Sequence, residues 1–332
     1  MDLFHDITGQ DRAIALLKAA LGNNKVHHAY LFTGPEGVGK SLVARAFAAS
    51  LCCPDLGCGE CDSCRRFMAK RFHPDIHDLT CAEGKRTIGV ESVREMESLL
   101  SLSAAGGVAK VLIIDPADRM TPAAENALLK TLEEPPPSTY LLLVTSRPWS
   151  LVSTVRSRCQ RVRFSPLASE TVERILSGTR PEEEKQIRPA ASQSQGSVAK
   201  ALWYLDNDIA KLYPVLSEVL DRLKRGAQLQ VLAAALAPKK DRDTVAFSLE
   251  ILLLALRELL LCGAGHEALS GGFFPPEDRR HLLKAWDRAS ILRAMELAEE
   301  ALDGLERNQA PMLTLEAMLA TMQSEISDRT EG

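Results

Sequence analysis

Eight consecutive residues, Gly34-Pro35-Glu36-Gly37-Val38-Gly39-Lys40-Ser41, match the phosphate-loop pattern G-x-x-x-x-G-K-[ST] at every fixed position. Glycines let such a loop turn tightly, so that its backbone N–H groups point inward at a polyphosphate. In this reading Gly34, Gly37 and Gly39 shape the cradle, Lys40 supplies a positive charge to the β- and γ-phosphates, and the Ser41 hydroxyl ligates Mg²⁺. The flanks agree. Ala29-Tyr30-Leu31-Phe32-Thr33 is an apolar run that reads as a buried parallel strand, and Leu42 to Ala49 continues as a helix whose N-terminus faces the phosphates. A chance glycine-rich turn would not bring the strand and the helix with it.

The order of elements extends the pattern. Helical spacing of Ile14, Leu17, Lys18 and Leu21 predicts a helix over 10–22, with Phe4, Ile7 and Gly9 upstream where the chain could fold over a bound base. His73 to Leu79 alternates like a strand, and Val90 to Leu102 is amphipathic, with Val93, Met96 and Leu100 on one side. Val111-Leu112-Ile113-Ile114-Asp115 reads as a central strand that delivers a carboxylate at its C-terminal end, where α/β sheets bind ligands. Ala123 to Leu132 predicts a helix, Tyr140 to Thr145 a further buried strand, and Arg161 to Phe164 a last short one. Strand and helix alternate, so the first half is expected to be a doubly wound parallel sheet.

Asp115 is the expected partner of Ser41 for Mg²⁺. The next residue is Pro116, where a hydrolysing site would place a glutamate to orient water; proline has no group that can accept a proton. Asp118 could substitute only with unusual backbone geometry, and reads as a solvated helix-cap residue. Thr145, at the tip of its strand, could touch a γ-phosphate or cap the turn. The site is equipped to hold ATP with Mg²⁺, and poorly equipped to hydrolyse it.

Five of the eight cysteines fall between Cys52 and Cys64, which argues for metal in a reducing cytosol rather than disulfides. Cys58, Cys61 and Cys64, with either Cys52 or Cys53, give four thiolates for a tetrahedral structural Zn²⁺ clamping an insert too small to have its own core. Spacing alone leaves the choice between Cys52 and Cys53 open. The formal charge of −4 gives no overall basic field, and Asp55, Glu60 and Asp62 sit among the cysteines; a zinc-dependent DNA-binding module is therefore disfavoured. Met1 to Asp6 shows no signal peptide. Ile251 to Cys262 is too short and too charged, at Arg257 and Glu258, to span a bilayer, so no membrane association is expected.

From about Pro166 short helices are expected to Leu205, then long helices to Ser327 with breaks at Pro238, Gly263–Gly265 and Gly271–Pro276. Ser157-Arg158-Cys159 follows the Thr145 strand. By spacing alone, Arg158 is either a surface ion pair at a helix end or a guanidinium offered to a phosphate of a neighbouring subunit.

Taken together, Gly34 to Ser41, Asp115, Ala124-Glu125-Asn126-Ala127-Leu128-Leu129-Lys130-Thr131-Leu132-Glu133-Glu134-Pro135-Pro136 and Ser157-Arg158-Cys159 resemble the clamp-loader branch of the AAA+ ATPases. His28 to Phe32 and His73-Pro74-Asp75 fit the same pattern, and the cysteine insert resembles the zinc module of bacterial clamp-loader subunits. The resemblance is tight over 1–166 and looser beyond, through Glu306-Arg307-Asn308 and Leu313 to Glu316. It implies an AAA+ domain at 1–166 with a zinc insert at 53–64, a small helical lid domain at 167–205, and an all-α collar domain at 206–327 that would bury Leu252, Leu256 and Leu259. Aligned on Lys40, it places Cys53 at the first zinc ligand, with Cys58, Cys61 and Cys64; the gap between the first two cysteines is shorter than is common. It further implies a cytoplasmic bacterial ring of five subunits, with tau/gamma and delta as partners, that opens a sliding clamp and places it on primed DNA. Arg158 would act as an arginine finger in the ATP site of the adjacent tau/gamma subunit. The alternative is a self-sufficient motor such as tau/gamma itself. Against it stand Pro116 and also Ala199, which follows Gly196-Ser197-Val198 where a motor would be expected to carry a second phosphate-sensing arginine. The length, with nothing expected after the third domain, points the same way. Some non-motor subunits have a decayed phosphate loop; this one is intact, so ATP binding is still expected.

Overall fold

The computed structural model describes residues 3–23, 25–69, 71–102, 104–106, 108–206, 212–267 and 274–328. They form two compact units, Met1–Thr179 with Ser194–Lys200, and Arg180–Gln193 with Ala201–Gly332.

The first unit is built on a parallel sheet of order β2-β3-β4-β1-β5, where β1 is Ala29–Thr33, β2 Ile76–Leu79, β3 Lys110–Ile114, β4 Thr139–Thr145 and β5 Gln160–Arg163. Its helices are α1 (Asp11–Gly22), α2 (Lys40–Leu51), α3 (Asp62–Met68), α4 (Val90–Leu100), α5 (Pro122–Glu133), α6 (Ser153–Ser157) and α7 (Ser169–Thr179). All five predicted strands are present. The three central ones are almost wholly buried because both faces of the sheet are covered, and the pleat divides their apolar side chains. Tyr30, Phe32, Val111, Ile113, Leu142 and Val144 pack with Leu17 of α1 and Val43 and Phe47 of α2. Leu31, Leu112, Ile114, Leu141 and Leu143 pack on the other face with Val93 and Leu100 of α4, Leu128 and Leu132 of α5, and Val155 of α6. β2 is shorter than the alternation predicts: the Nδ1 of His73 accepts the Asp75 N–H, so the chain turns before it pairs.

The second unit is helical: α8 (Glu184–Gln193), most of α9 (Val198–Asp206), α10 (Leu212–Lys224), α11 (Leu229–Leu236), α12 (Arg242–Gly263), α13 (Pro276–Ala285), α14 (Arg288–Glu306) and α15 (Pro311–Asp328). The apolar α12 packs against α14, α15 and α13, with Leu252, Leu256 and Leu259 buried. Among the described residues no helix is long and apolar enough to cross a membrane. The expected break at Pro238 falls in the gap between α11 and α12, and that at Gly263–Gly265 ends α12; of the break at Gly271–Pro276, residues 271–273 lie outside the described residues. Among the described residues three further breaks were not expected, one at Trp286 and Asp287 between α13 and α14 and two at left-handed turns. Gly226 and Asn308 take positive φ (74° and 68°) after α10 and α14, where the N–H of the following residue closes on Arg222 and Gly304 carbonyls, a turn that stops a helix.

One buried acid ties two helices of the first unit together. Glu125, 4% exposed in the first turn of α5, accepts the N–H of Val152, which caps the start of α6. Burial raises the Glu125 pKa, against the opposing pull of that N–H. Because the folded value lies above the unfolded one, near 4.3, its stabilising contribution is complete below that value and is lost as pH rises through the folded pKa. Glu125→Gln, which keeps an acceptor for Val152 but does not titrate, is expected to gain stability relative to the parent as pH rises from about 4 to 8, measured by denaturant unfolding; a pH-independent difference would refute this.

Candidate nucleotide and metal sites

The C-terminal ends of β1, β3 and β4 converge on the phosphate loop. Val43 donates to Gly39 O as α2 begins, and Gly39 (φ 98°) takes the left-handed conformation that turns the loop into the helix. Gly37 is needed for space as well as conformation. A Cβ there would lie 2.2 Å from Ser197 Oγ, and the Gly37 carbonyl accepts the Val198 N–H at 2.9 Å. Sequence reasoning did not find this contact. Nor did it find Gln10, 5% exposed, whose side chain bonds Val38 O and both the O and N–H of Ser165, fastening the start of α1 to the loop. Residues so far apart in sequence leave no local signal; only the polar character of Gln10 before an apolar helix hinted at it.

Lys40, 7% exposed, donates its Nζ to the carbonyls of Gly34 (2.8 Å) and Pro35 (2.6 Å). Burial lowers its pKa, while the negative charges of Asp115, Glu36 and Asp118 raise it. Phosphate oxygens would exchange for those carbonyls and would favour the charged ammonium. The Ser41 hydroxyl donates to Asp115 Oδ2, just past the end of β3. A hydroxyl beside a carboxylate is a donor set that suits Mg²⁺, which prefers hard oxygen ligands.

Pro116 follows Asp115 and brings no proton acceptor. Asp118 is not the freely solvated cap the sequence suggested. It lies half-buried in the turn Ala117–Arg119 and accepts the Thr145 hydroxyl at 2.6 Å. Thr145 Oγ1 in turn accepts the Arg147 N–H at 2.9 Å, so this residue caps its turn. The structure therefore gathers Gly34, Gly37, Gly39, Lys40, Ser41, Asp115 and Thr145 at one end of the sheet.

Arg158 lies elsewhere. It ends α6, with Nη2 2.5 Å from Glu133 Oε1 and Nη1 donating to Thr154 O at 3.0 Å. It lines an open groove of about 420 Å³ with His27, His28, Leu132, Glu133, Ser157, Cys159 and Gln160. His28 bonds the Leu132 carbonyl through Nε2, and burial lowers its pKa, as does the neighbouring His27. His27 and His28 immediately precede β1, whereas the phosphate loop follows it.

Cys53, Cys58, Cys61 and Cys64 have ligand atoms all within 4.8 Å of one another. Cys53 and Cys58 sulfurs are 3.6 Å apart, close to the roughly 3.8 Å expected for two thiolates on a tetrahedral zinc. Backbone N–H groups of Cys58, Cys61 and Cys64 point at the sulfurs of Cys53, Cys58 and Cys61. Cys52 faces the other way, toward the carbonyls of Ala109 (3.4 Å) and Asp75, and burial pushes its thiol up to about 12. The cluster thus takes up Cys53 and leaves Cys52 to the core. We expect Cys53→Ser to lose a stoichiometric zinc, measured by metal analysis of the purified chain, and Cys52→Ser to retain it; the reverse pattern would refute the assignment.

Residues 9–168 match the family model described as DNA polymerase III, delta subunit. The delta-prime subunit of DNA polymerase III from Bacillus subtilis (strain 168) is 32% identical over 274 residues, covering 78% of this chain and 79% of that protein. The tau subunit of the same bacterium is 32% identical over 269 residues, covering 78% of this chain and 46% of that protein. The chain spans between 31% and 46% of the length of the tau relatives it matches. A DNA polymerase III gamma subunit-related protein of Thermotoga maritima has a similar fold, with a TM-score of 0.50 at 16% identity, covering 93% of this chain and 99% of that one. With a delta-prime relative matched over most of its length, and with the sheet and phosphate loop in place, the chain belongs to the delta-prime family of DNA polymerase III subunits.

Proposed function

We propose that the chain is a subunit of a clamp loader, a ring with tau/gamma and delta subunits that places a sliding clamp on primed DNA. It holds ATP with Mg²⁺ through Lys40, Ser41 and Asp115 with little or no hydrolysis, and lends Arg158 to the ATP site of the adjacent tau/gamma subunit. Cys53, Cys58, Cys61 and Cys64 hold a structural zinc. The division into 1–166, 167–205 and 206–327 assigns nucleotide binding to the first part and ring contacts to the last.

One observation carries the reading. Arg158 and the phosphate loop lie at opposite ends of β1, a five-residue strand that spans about 16 Å. A guanidinium in the groove at the start of β1 is out of reach of a phosphate held at its end, so an arginine finger here serves another subunit. Pro116 supports the second half of the reading, since the next carboxylate along the chain, Asp118, already accepts the Thr145 hydroxyl. The intact Lys40–Ser41–Asp115 set is the observation that favours a motor of the tau/gamma type; a motor would still need a group to orient water next to Asp115.

Loss of an arginine finger slows the site it serves by about 10³-fold or more. Arg158→Ala is therefore expected to leave the ring assembled, measured by size-exclusion chromatography, while its clamp loading and that site's share of its ATPase collapse. An unchanged ATPase in the assembled ring would refute the proposal.

A further inference from the structure

Arg158 does not project freely from the surface. Its two terminal nitrogens engage Glu133 and the Thr154 carbonyl, and Glu133 is the last residue of α5. The guanidinium thus lies between the carboxylate that ends α5 and a backbone carbonyl of α6. Glu133 also lines the groove that Arg158 shares with His27, His28 and Gln160. A phosphate entering this groove meets the carboxylate and must compete with it for the same cation.

Resting on the reading of Arg158 given above, we infer that Glu133 is a positioning residue: it holds the finger back and sets how readily it is offered to a neighbour's nucleotide. The strength of the contact fits a restraint that can be released. The side chains are 36% and 51% exposed, and an exposed ion pair shifts an equilibrium by about fivefold at most. A polyphosphate carrying several charges displaces such a partner, whereas a poorly placed one does not. The pair would therefore suppress turnover in a loosely closed ring and allow it in a tightly closed one.

The test is steady-state ATPase of the ring reconstituted with tau/gamma and delta subunits, without clamp or DNA. Four forms of this chain are compared: the parent, Glu133→Gln, Arg158→Ala and the double variant. The expected result is a kcat raised about two- to fivefold by Glu133→Gln at unchanged KM for ATP, with the double variant as slow as Arg158→Ala. A gain in rate is a readout that mere loss of packing at Glu133 would not give. If Arg158→Ala is slow while Glu133→Gln is unchanged or slower, the inference falls and the finger stands. If Glu133→Gln raises kcat in the double variant as well, the effect does not pass through Arg158 and the inference falls. If Arg158→Ala has no effect, both fall.

Discussion

A short parallel strand holds two kinds of charge apart. At the end of β1, the Lys40 ammonium sits on carbonyls of the phosphate loop; before its start, Arg158 rests against Glu133 beside a pair of stacked histidines. Buried on both faces, β1 cannot bend to bring these ends together. Hydrogen bonding to β4 on one side and β5 on the other fixes its register. This rigidity keeps Arg158, paired with Glu133 of its own chain, away from the phosphate loop.

The phosphate-loop end is built from contacts that are long in sequence. Gln10 joins α1 to Val38 and Ser165, and the turn Gly196–Val198 closes on Gly37, so segments distant in sequence brace the loop. A cradle braced in this way can hold a triphosphate without supplying the proton acceptor that hydrolysis needs. In the proposed reading binding and turnover are separable, because Lys40, Ser41 and Asp115 would serve the first and the position taken by Pro116 would serve the second.

Much of this was legible in the sequence. Four- and five-residue apolar runs named the buried strands, since only a sheet covered on both faces tolerates them, and the loop pattern with its flanking strand and helix named the site. What stayed hidden depends on tertiary geometry. Cys52 and Cys53 are adjacent in sequence, and only the direction of their side chains, one toward Ala109 O and the other toward Cys58, separates them. Asp118 read as a surface cap because its partner, Thr145, lies on another strand. In the helical half, composition marked the glycine- and proline-rich gaps but missed Asn308, whose left-handed turn depends on closure onto Gly304.

The central claim is that the pocket retains its grip on a triphosphate and lacks the group that readies water. Single-turnover hydrolysis by the purified chain, in excess over ATP and Mg²⁺-saturated, tests it most directly, with Lys40→Ala as the control. The account predicts ATP that is bound through Lys40 and remains intact over many minutes. Hydrolysis by the solitary chain that disappears with Lys40→Ala would contradict it.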